Sequence, residues 1–313
     1  MNRIIRYAAT AAALTLTICA SAAETDQYFE RSQPIADSTA AMNKKFNAKL
    51  AKVVKKNRDV RDPRVIVHEV FARLGGYRMT DKYEEWVRNT PLVEIREVAI
   101  RDSIYGGMPF WSIRAVSVFG LGVTLKVDDQ LIGSDKLSHF LSQGRKFHGR
   151  YLNSGSEKKA AKRGVLTERA IFGSGMTGSF SNADLVANYE GHLFYRSLFE
   201  DNIIPGKAAI LKWTDDGWIM QREFDWADHV NEYWDEALNV NAYDRLLHDR
   251  MVDRLGDLCP QYWQDPSIYE IRNEAALQDR YAHLGMRDTR DMRLSTICQG
   301  DMGDSDEELL ASF

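Results

Sequence analysis

Several features are missing from this 313-residue sequence, and each absence removes a class of function. There is no basic domain to offset the net charge of −4, which argues against a general nucleic-acid binder. Beyond the first segment, no run approaches the roughly 18 to 20 apolar residues that a membrane span requires. No internal repeat, C-x-x-C or H-E-x-x-H spacing occurs, so repeat scaffolds, dithiol oxidoreductases and zincin proteases are not indicated. What remains is an ordinary globular composition, 44% apolar and 27% charged, with enough chain to bury a core.

Residues 1–22 are predicted to be a secretory signal peptide. Arg3 and Arg6 provide the basic start, residues 8–18 form an apolar run, and residues 20–22 give the small-x-small pattern that a signal peptidase accepts. We therefore expect cleavage near Ala22 and a mature protein that resides in the periplasm or outside the cell.

Two cysteines remain after the predicted cleavage, Cys259 and Cys298. In an oxidising compartment such a pair usually closes, and a bridge over this loop is expected to stabilise the fold by roughly 4 kcal/mol. The alternative is a pair of free buried thiols. We predict a structural disulfide that takes no part in catalysis.

The chain is predicted to be mainly α with a minor β component, and its composition divides it into segments. Residues 23–62 form a polar, basic and helical N-terminal segment, and residues 63–300 form a mainly α domain. Residues 301–313 form an acidic tail, which is expected to lack a fixed structure.

The N-terminal segment contains a basic amphipathic helix. Met42, Phe46 and Leu50 recur at helical spacing among the lysines of residues 44–56. Such a helix is typical of peripheral contact with an anionic membrane or an acidic polymer. The alternative is an ordinary packed helix with a solvated face.

The β component is predicted in two places. Residues 94–132 are rich in β-branched and aromatic side chains, which indicates one or two strands. A hairpin is predicted near residues 208–224, where two apolar runs flank Asp216-Gly217, a strong turn signal. Residues 226–258 are expected to be helical, and the acids there are expected to form one solvated face: Asp225, Asp228, Glu232, Asp235 and Glu236.

Most of the residues that point to chemistry lie between residues 133 and 195. In a helix Asp135 and His139 share one face at i,i+4. A second polar stripe, at i,i+4,i+8, occurs on a later helix: Asp184, Asn188 and His192. Apolar residues flank both stripes, which favours a position against a partner helix rather than in solvent.

A third acid, Glu168, lies between the two stripes. Residues 157–171 are predicted to form a helix with Glu168 in its last turn, before a glycine-rich turn at residues 173–178. The negative end of the helix dipole raises the pKa of a carboxyl group there, which would suit a general acid. The alternative is a surface Glu that pairs with Arg169 or Lys162.

Two motifs in this region occur in a set order. The first reads Asp135-Lys136-x-x-His139-Phe140, and the second, after a Glu, reads Ser181-x-x-Asp184-Leu185-x-Ala187-Asn188-x-x-Gly191. Together they resemble the VanZ-like family of bacterial membrane proteins, over about 60 residues, and the D-K-x-x-H pattern is also similar to one in periplasmic lipoproteins. That family is linked to the cell envelope and to resistance against glycopeptide antibiotics, so the resemblance implies an envelope role. It also implies one shared polar cluster: Asp135, Lys136, His139, Glu168, Asp184 and Asn188.

The sequence departs from that family in the first helix. VanZ-like motifs lie on apolar membrane-spanning helices, whereas polar residues extend the helix here: Arg145, Lys146, His148 and Arg150. The departure puts a common substrate in doubt, although a common constellation of side chains can survive it.

The polar cluster has three chemical interpretations. The first is two-carboxylate glycan cleavage, with Glu168 as general acid and Asp184 or Asp135 as base. The second is a divalent metal that activates water, held by the histidines and aspartates of the two stripes: Asp135, His139, Asp184 and His192. The third is a buried polar network that only fixes the register of the helices.

We predict an exported hydrolase that acts on cell-wall glycan and needs no resident cofactor, the divalent metal being the alternative. Its catalytic residues are predicted to be these: Glu168, Asp184, Asp135, His139 and Lys136. The predicted substrate-binding residues are these: Asn188, Ser181, Thr177 and His192. The alternative function is a non-catalytic envelope-binding or scaffold protein that uses the basic helix.

Overall fold

The computed structural model describes residues 24–76, 80–110, 113, 116–117, 120–167 and 179–299. The predictions for the signal peptide, the acidic tail, Glu168 and Thr177 lie outside the described residues. Within the described ranges, no helix is long and apolar enough to cross a membrane. The helices outweigh three small antiparallel sheets, which confirms a mainly α fold with a minor β component.

Three helices open the described chain: α1 (Thr39–Lys56), α2 (Pro63–Leu74) and α3 (Lys82–Asn89). The apolar stripe of α1 faces inward, and Phe46 and Leu50 are fully buried in the main core. Helix α2 begins at a proline, which suits a first helical position, and the side chain of Asp62 accepts a hydrogen bond from the backbone amide of Arg64. These helices form one side of the core against which the site is built.

The strands are short and form small antiparallel sheets. Strands β1 (Ile95–Arg96), β2 (Thr124–Val127) and β3 (Gln130–Gly133) form one antiparallel sheet. Strands β4 (Ser179–Phe180) and β7 (Ala242–Tyr243) pair antiparallel, and β5 (Leu211–Thr214) pairs with β6 (Gly217–Met220). The last pair is the predicted hairpin, with Gly217 at a φ of 95°, which glycine adopts without strain.

A run of helices follows β3 and forms the centre of the molecule. It comprises α4 (Asp135–Ser138), a π-helical turn (His139–Gln143), α5 (Gly144–Ser154), α6 (Glu157–Thr167) and, after β4, α7 (Asn182–Ser197). Both predicted polar stripes therefore lie on helices. Single π-helical turns inside α-helices are frequent at functional sites.

Two glycines allow α7 to pack closely against the helices before it. A Cβ atom on Gly191 would lie 1.9 Å from the carbonyl oxygen of Phe140, and one on Gly144 would lie 2.6 Å from the Cα atom of Gly191. No larger residue fits at such a distance. This close crossing brings the two polar stripes together.

The expectation of a helix throughout residues 226–258 was wrong. The chain instead forms short 3₁₀ turns at Trp226–Asp228 and Glu232–Trp234, then β7, and becomes helical only at α8 (Arg245–Gly256). The reason lies in the side chains of Asp225, Asn231 and Asp235, which each accept a hydrogen bond from the backbone amide two residues ahead. Such local bonds compete with helical ones.

Helices α9 (Cys259–Tyr262) and α10 (Glu274–Tyr281) follow, and residues 294–299 at the end of the described chain are also helical. The predicted disulfide is confirmed, since Cys259 and Cys298 are bonded with their Cα atoms 5.4 Å apart. Both cysteines lie in a second, smaller apolar cluster with Met251 and Leu255 of α8. The disulfide therefore links the end of the described chain to α9, and it indicates an oxidising compartment.

Candidate functional site

The centre of the candidate site is the ammonium group of Lys136, whose residue is 0% exposed. Its Nζ donates hydrogen bonds to Asp135 Oδ2 at 2.6 Å, to Asp184 Oδ1 at 2.6 Å and to Glu236 Oε1 at 2.7 Å. These carboxylates come from α4, α7 and the segment before β7. We call Lys136, these three acids, Glu24, His139, Asn188 and Ser181 the Lys136 cluster.

Local structure fixes the orientation of the acids. The hydroxyl of Ser181 accepts a hydrogen bond from the backbone amide of Asp184 at 3.1 Å, the usual role of an N-cap residue, and donates to Glu236 Oε1 at 2.9 Å. Asp135 Oδ1 accepts a hydrogen bond from the hydroxyl of Thr25 at 2.7 Å. Since each acid is held by a second partner, the carboxylates keep their places around the ammonium group.

His139 lies on the outer side of Asp184. Its Nε2 is 3.2 Å from Asp184 Oδ2, and its Nδ1 is 3.1 Å from the side-chain oxygen of Asn188. Asp184 Oδ2 and the side-chain oxygen of Asn188 both accept hydrogen bonds, so His139 can donate to either of them.

Glu24 adds a fourth acid next to the other three. Its Oε1 accepts a hydrogen bond from Ser179 at 2.7 Å, and its Oε2 accepts one from the side-chain amide of Asn241 at 3.0 Å. Burial and the charge of Asp184 raise the pKa of Glu24 to about 7. The cluster therefore contains more acids than its ammonium group can balance.

The acids around the shared ammonium group differ in the direction of their pKa shifts. Burial raises the pKa of Glu236 to about 8, because the opposing effect of Lys136 is partly cancelled by Glu24 and Asp135. Burial also acts against the ionised form of Asp184, but His139 and Lys136 outweigh it and lower the pKa of that carboxyl group. The same ammonium group thus faces one carboxyl group whose pKa is lowered and one whose pKa is raised.

One atom of the cluster lacks a partner. Glu236 Oε2 is buried and has no hydrogen-bond partner among the described residues. Buried polar atoms without a hydrogen-bond partner are uncommon in folded proteins.

The structure brings most of the predicted site residues together, but not all of them. These members of the predicted set belong to the Lys136 cluster: Asp135, Lys136, His139, Ser181, Asp184 and Asn188. His192 does not join them, because eight helical residues carry it about 12 Å along α7 from Asp184. Its Nδ1 is 3.4 Å from Nδ1 of His148, and its Nε2 is 3.6 Å from Glu157.

A metal ion is chemically conceivable at one edge of the cluster. Donor atoms of Asp135, His139 and Asp184 lie within 4.8 Å of one another, and carboxylate and imidazole suit several divalent ions. This set is smaller than the predicted one, because His192 is elsewhere. The nearby ammonium group of Lys136 competes for the same carboxylates.

The sequence reasoning missed two acids of the cluster, Glu24 and Glu236. Glu236 follows Asn231 and Asp235, whose preference for turns argues against the solvated helix that we expected. Instead Glu236 is 4% exposed and faces Lys136. No signal in the sequence marks Glu24.

Comparison of the chain with protein-family models, curated proteins and solved structures finds no match. The resemblance of the two motifs to VanZ-like proteins therefore stays a prediction from the sequence.

Proposed function

We propose that the protein is an exported hydrolase of the cell envelope and that the Lys136 cluster is its reaction centre. The observation that carries the proposal is the position of Asp184 and Glu236 on one ammonium group. Their bonded oxygens lie 2.6 and 2.7 Å from Lys136 Nζ, so they are no more than about 5.3 Å apart. The two carboxyl groups that would act as base and acid therefore lie close together around one ammonium group.

The two carboxyl groups have distinct roles. Asp184, whose pKa is lowered by His139 and Lys136 against the effect of burial, serves as the base or nucleophile. Glu236, whose pKa burial raises to about 8, donates the proton to the leaving group. Groups whose environments separate their pKa values in this way can share acid and base work at neutral pH.

Lys136, His139 and Asn188 position these groups. Lys136 fixes both carboxyls and offsets negative charge. His139 faces Asp184 at 3.2 Å and Asn188 at 3.1 Å, so the imidazole orients the carboxylate that reacts.

The proposed substrate is cell-wall glycan. A disulfide indicates an oxidising compartment, and the predicted signal peptide and the VanZ-like motifs favour the envelope. A pair of carboxyl groups in one site is typical of enzymes that cleave glycosidic bonds. Glu168, the general acid predicted from the sequence, is tested in the same assay as Glu236.

Digestion of purified sacculi tests this function. The variants Asp184→Asn and Glu236→Gln are each expected to lower the release of muropeptides by about 10²- to 10⁴-fold, and Glu168→Gln is assayed in parallel. The matched control is Glu232→Gln, four residues from Glu236, since Glu232 is also buried but bonds Arg272. Folded Asp184→Asn and Glu236→Gln proteins with wild-type muropeptide release would end the proposal.

The second candidate is a metal-dependent hydrolase, which the convergence of Asp135, His139 and Asp184 favours. In this version the ion activates water. Elemental analysis of the purified protein and assays after chelation distinguish the two versions. Full activity of a metal-free preparation would exclude the metal-dependent one.

A further inference from the structure

Helix α1 presents a strongly basic surface on the side away from the core. The helix carries six lysines and no acid in its sequence TAAMNKKFNAKLAKVVKK. Its apolar stripe is sealed in the core, where Met42, Phe46, Leu50 and Val53 are fully buried. The helix therefore has no apolar face left to insert into a membrane, and contact with a partner must use the lysines.

Cations from neighbouring helices join this surface. Four cations near Lys49 disfavour its charged form: Lys45 and Lys52 of α1, Arg73 of α2, and Lys82, the first residue of α3. We call these four residues and Lys49 the α1 basic face. Burial and these four neighbours lower the pKa of Lys49.

The lysines of the α1 basic face form fewer ion pairs with acids than Lys56 at the end of the same helix does. Lys56, at the end of α1, pairs with Glu69 at 2.9 Å. Among the described residues, no ion pair forms with Lys45, Lys49 or Lys52, and Lys45 instead lies over the ring of Trp86 at 4.9 Å. The α1 basic face is thus a concentration of positive charge on a protein whose net charge is −4.

We propose that the α1 basic face docks the protein onto an anionic phospholipid surface. Lys45, Lys49 and Lys52 recur at i,i+4,i+7 and span about 10 Å of the helix, and the cations of α2 and α3 widen the face beyond a single line. Such an array of flexible point charges matches a plane of phosphate headgroups better than it matches a single polymer strand. This docking site goes beyond the proposed hydrolase and does not depend on it.

The chemistry of the face makes the contact peripheral. The exposed large apolar residues of the described chain lie outside α1, α2 and α3, at positions such as Leu92, Phe110 and Leu152. The attraction is therefore electrostatic, and salt screens it over about 8 to 10 Å at physiological ionic strength. Docking would hold the Lys136 cluster close to the membrane side of the cell wall.

Co-sedimentation with vesicles tests the docking site. The wild-type protein is expected to sediment with vesicles of phosphatidylglycerol and phosphatidylcholine in equal parts at low salt, and not with phosphatidylcholine alone. The triple variant Lys45→Glu, Lys49→Glu, Lys52→Glu should bind roughly 100-fold more weakly, since each basic residue near such a surface contributes about fivefold. Circular dichroism checks that this variant is folded.

The matched control reverses three lysines of another helix. Lys158→Glu, Lys159→Glu, Lys162→Glu changes the net charge equally on α6 and is expected to leave most binding intact. Equal loss in both triple variants would overturn the proposal, because net charge alone would then explain binding. Binding to soluble polyphosphate without binding to vesicles would overturn it in favour of an acidic polymer.

Discussion

Helix α7 passes through two buried polar networks that differ in their balance of charge. In one, the carboxylate of Glu190 accepts hydrogen bonds from Tyr281 at 2.7 Å, from Arg280 Nε at 3.0 Å and from His229 at 3.1 Å. Burial opposes its ionised form, but His229 and Arg280 prevail and lower the pKa of Glu190. In the Lys136 cluster, one ammonium group faces several carboxyl groups.

The difference distinguishes a network whose single acid is balanced by donors from one that holds surplus acids. The Glu190 network surrounds a single acid with donors, so both of its oxygens are satisfied. The Lys136 cluster holds surplus acids, and Glu236 Oε2 lacks a partner among the described residues. A network that only fixed the register of helices would gain nothing from that surplus, because buried acids without counter-charges destabilise a fold.

The largest expected effect comes from removing the ammonium group. Lys136→Met leaves Asp135, Asp184 and Glu236 without their common cation, so we expect a loss of about 3 to 5 kcal/mol in the free energy of unfolding at neutral pH. Urea unfolding measures it. The loss should shrink as the pH is lowered, because the acids then take up protons.

The control for that experiment is Lys159→Met, which removes an exposed lysine of α6. It should change the free energy of unfolding by less than about 0.5 kcal/mol. A Lys136→Met protein as stable as the wild type would mean that the cluster is not the charge-coupled unit described above.

The second prediction compares two isosteric changes. Glu190→Gln removes a carboxylate that its donors require, and should destabilise the fold by about 1 to 3 kcal/mol. Glu236→Gln replaces a carboxyl group whose pKa burial raises to about 8, so stability at neutral pH should be unchanged or higher while muropeptide release falls. Thermal unfolding and the sacculus assay, run on both proteins, measure the contrast. An equal loss of stability in Glu190→Gln and Glu236→Gln would show that the two networks do not differ in their balance of charge.

The third prediction concerns pH. Burial raises the pKa of Glu236 from its ordinary 4.5 to about 8, so the folded state binds a proton that the unfolded state releases. This contribution to stability is complete below pH 4.5 and is lost as the pH rises through about 8. The pKa of Glu190 is lowered, so its contribution has the opposite sign and is lost only as the pH falls below its ordinary range.

Urea unfolding at about pH 5.5 and pH 8.5 isolates these contributions. The free energy of unfolding of the wild type minus that of Glu236→Gln should fall from about pH 5.5 to about pH 8.5, and the same difference for Glu190→Gln should not. Parallel curves for the wild type and Glu236→Gln would show that Glu236 is ionised in the folded protein, which would remove it as the acid.

Part of this site could be predicted from the sequence because short-range periodicity carries it. The i,i+4 spacing of Asp135 and His139, with apolar flanks, was enough to predict an inward-facing stripe. Glu236 could not be found in this way, since it meets Lys136 across 100 residues. The same spacing rule misplaced His192, because sharing a helical face does not mean sharing a site two turns away.

The fold likewise has features that local sequence signals predicted and one that they did not. The cysteine count predicted the disulfide, and Asp216-Gly217 predicted the hairpin of β5 and β6. The helix expected over residues 226–258 failed where the side chains of Asp225 and Asn231 bond to the backbone instead. The helix prediction would have been corrected if the turn preference of these side chains had been considered before the spacing of apolar residues.

The smallest expected effect tests how His139 is oriented. Asn188→Ala removes the acceptor 3.1 Å from Nδ1 of His139 and leaves Asp184 at 3.2 Å from Nε2. We expect a loss of about 1 kcal/mol in the free energy of unfolding. If His139 orients the reacting carboxylate, muropeptide release should also fall modestly, with kcat affected more than KM. Muropeptide release equal to that of the wild type would mean that Asn188 does not hold His139 against the reacting carboxylate, and that Lys136 is enough to orient Asp184.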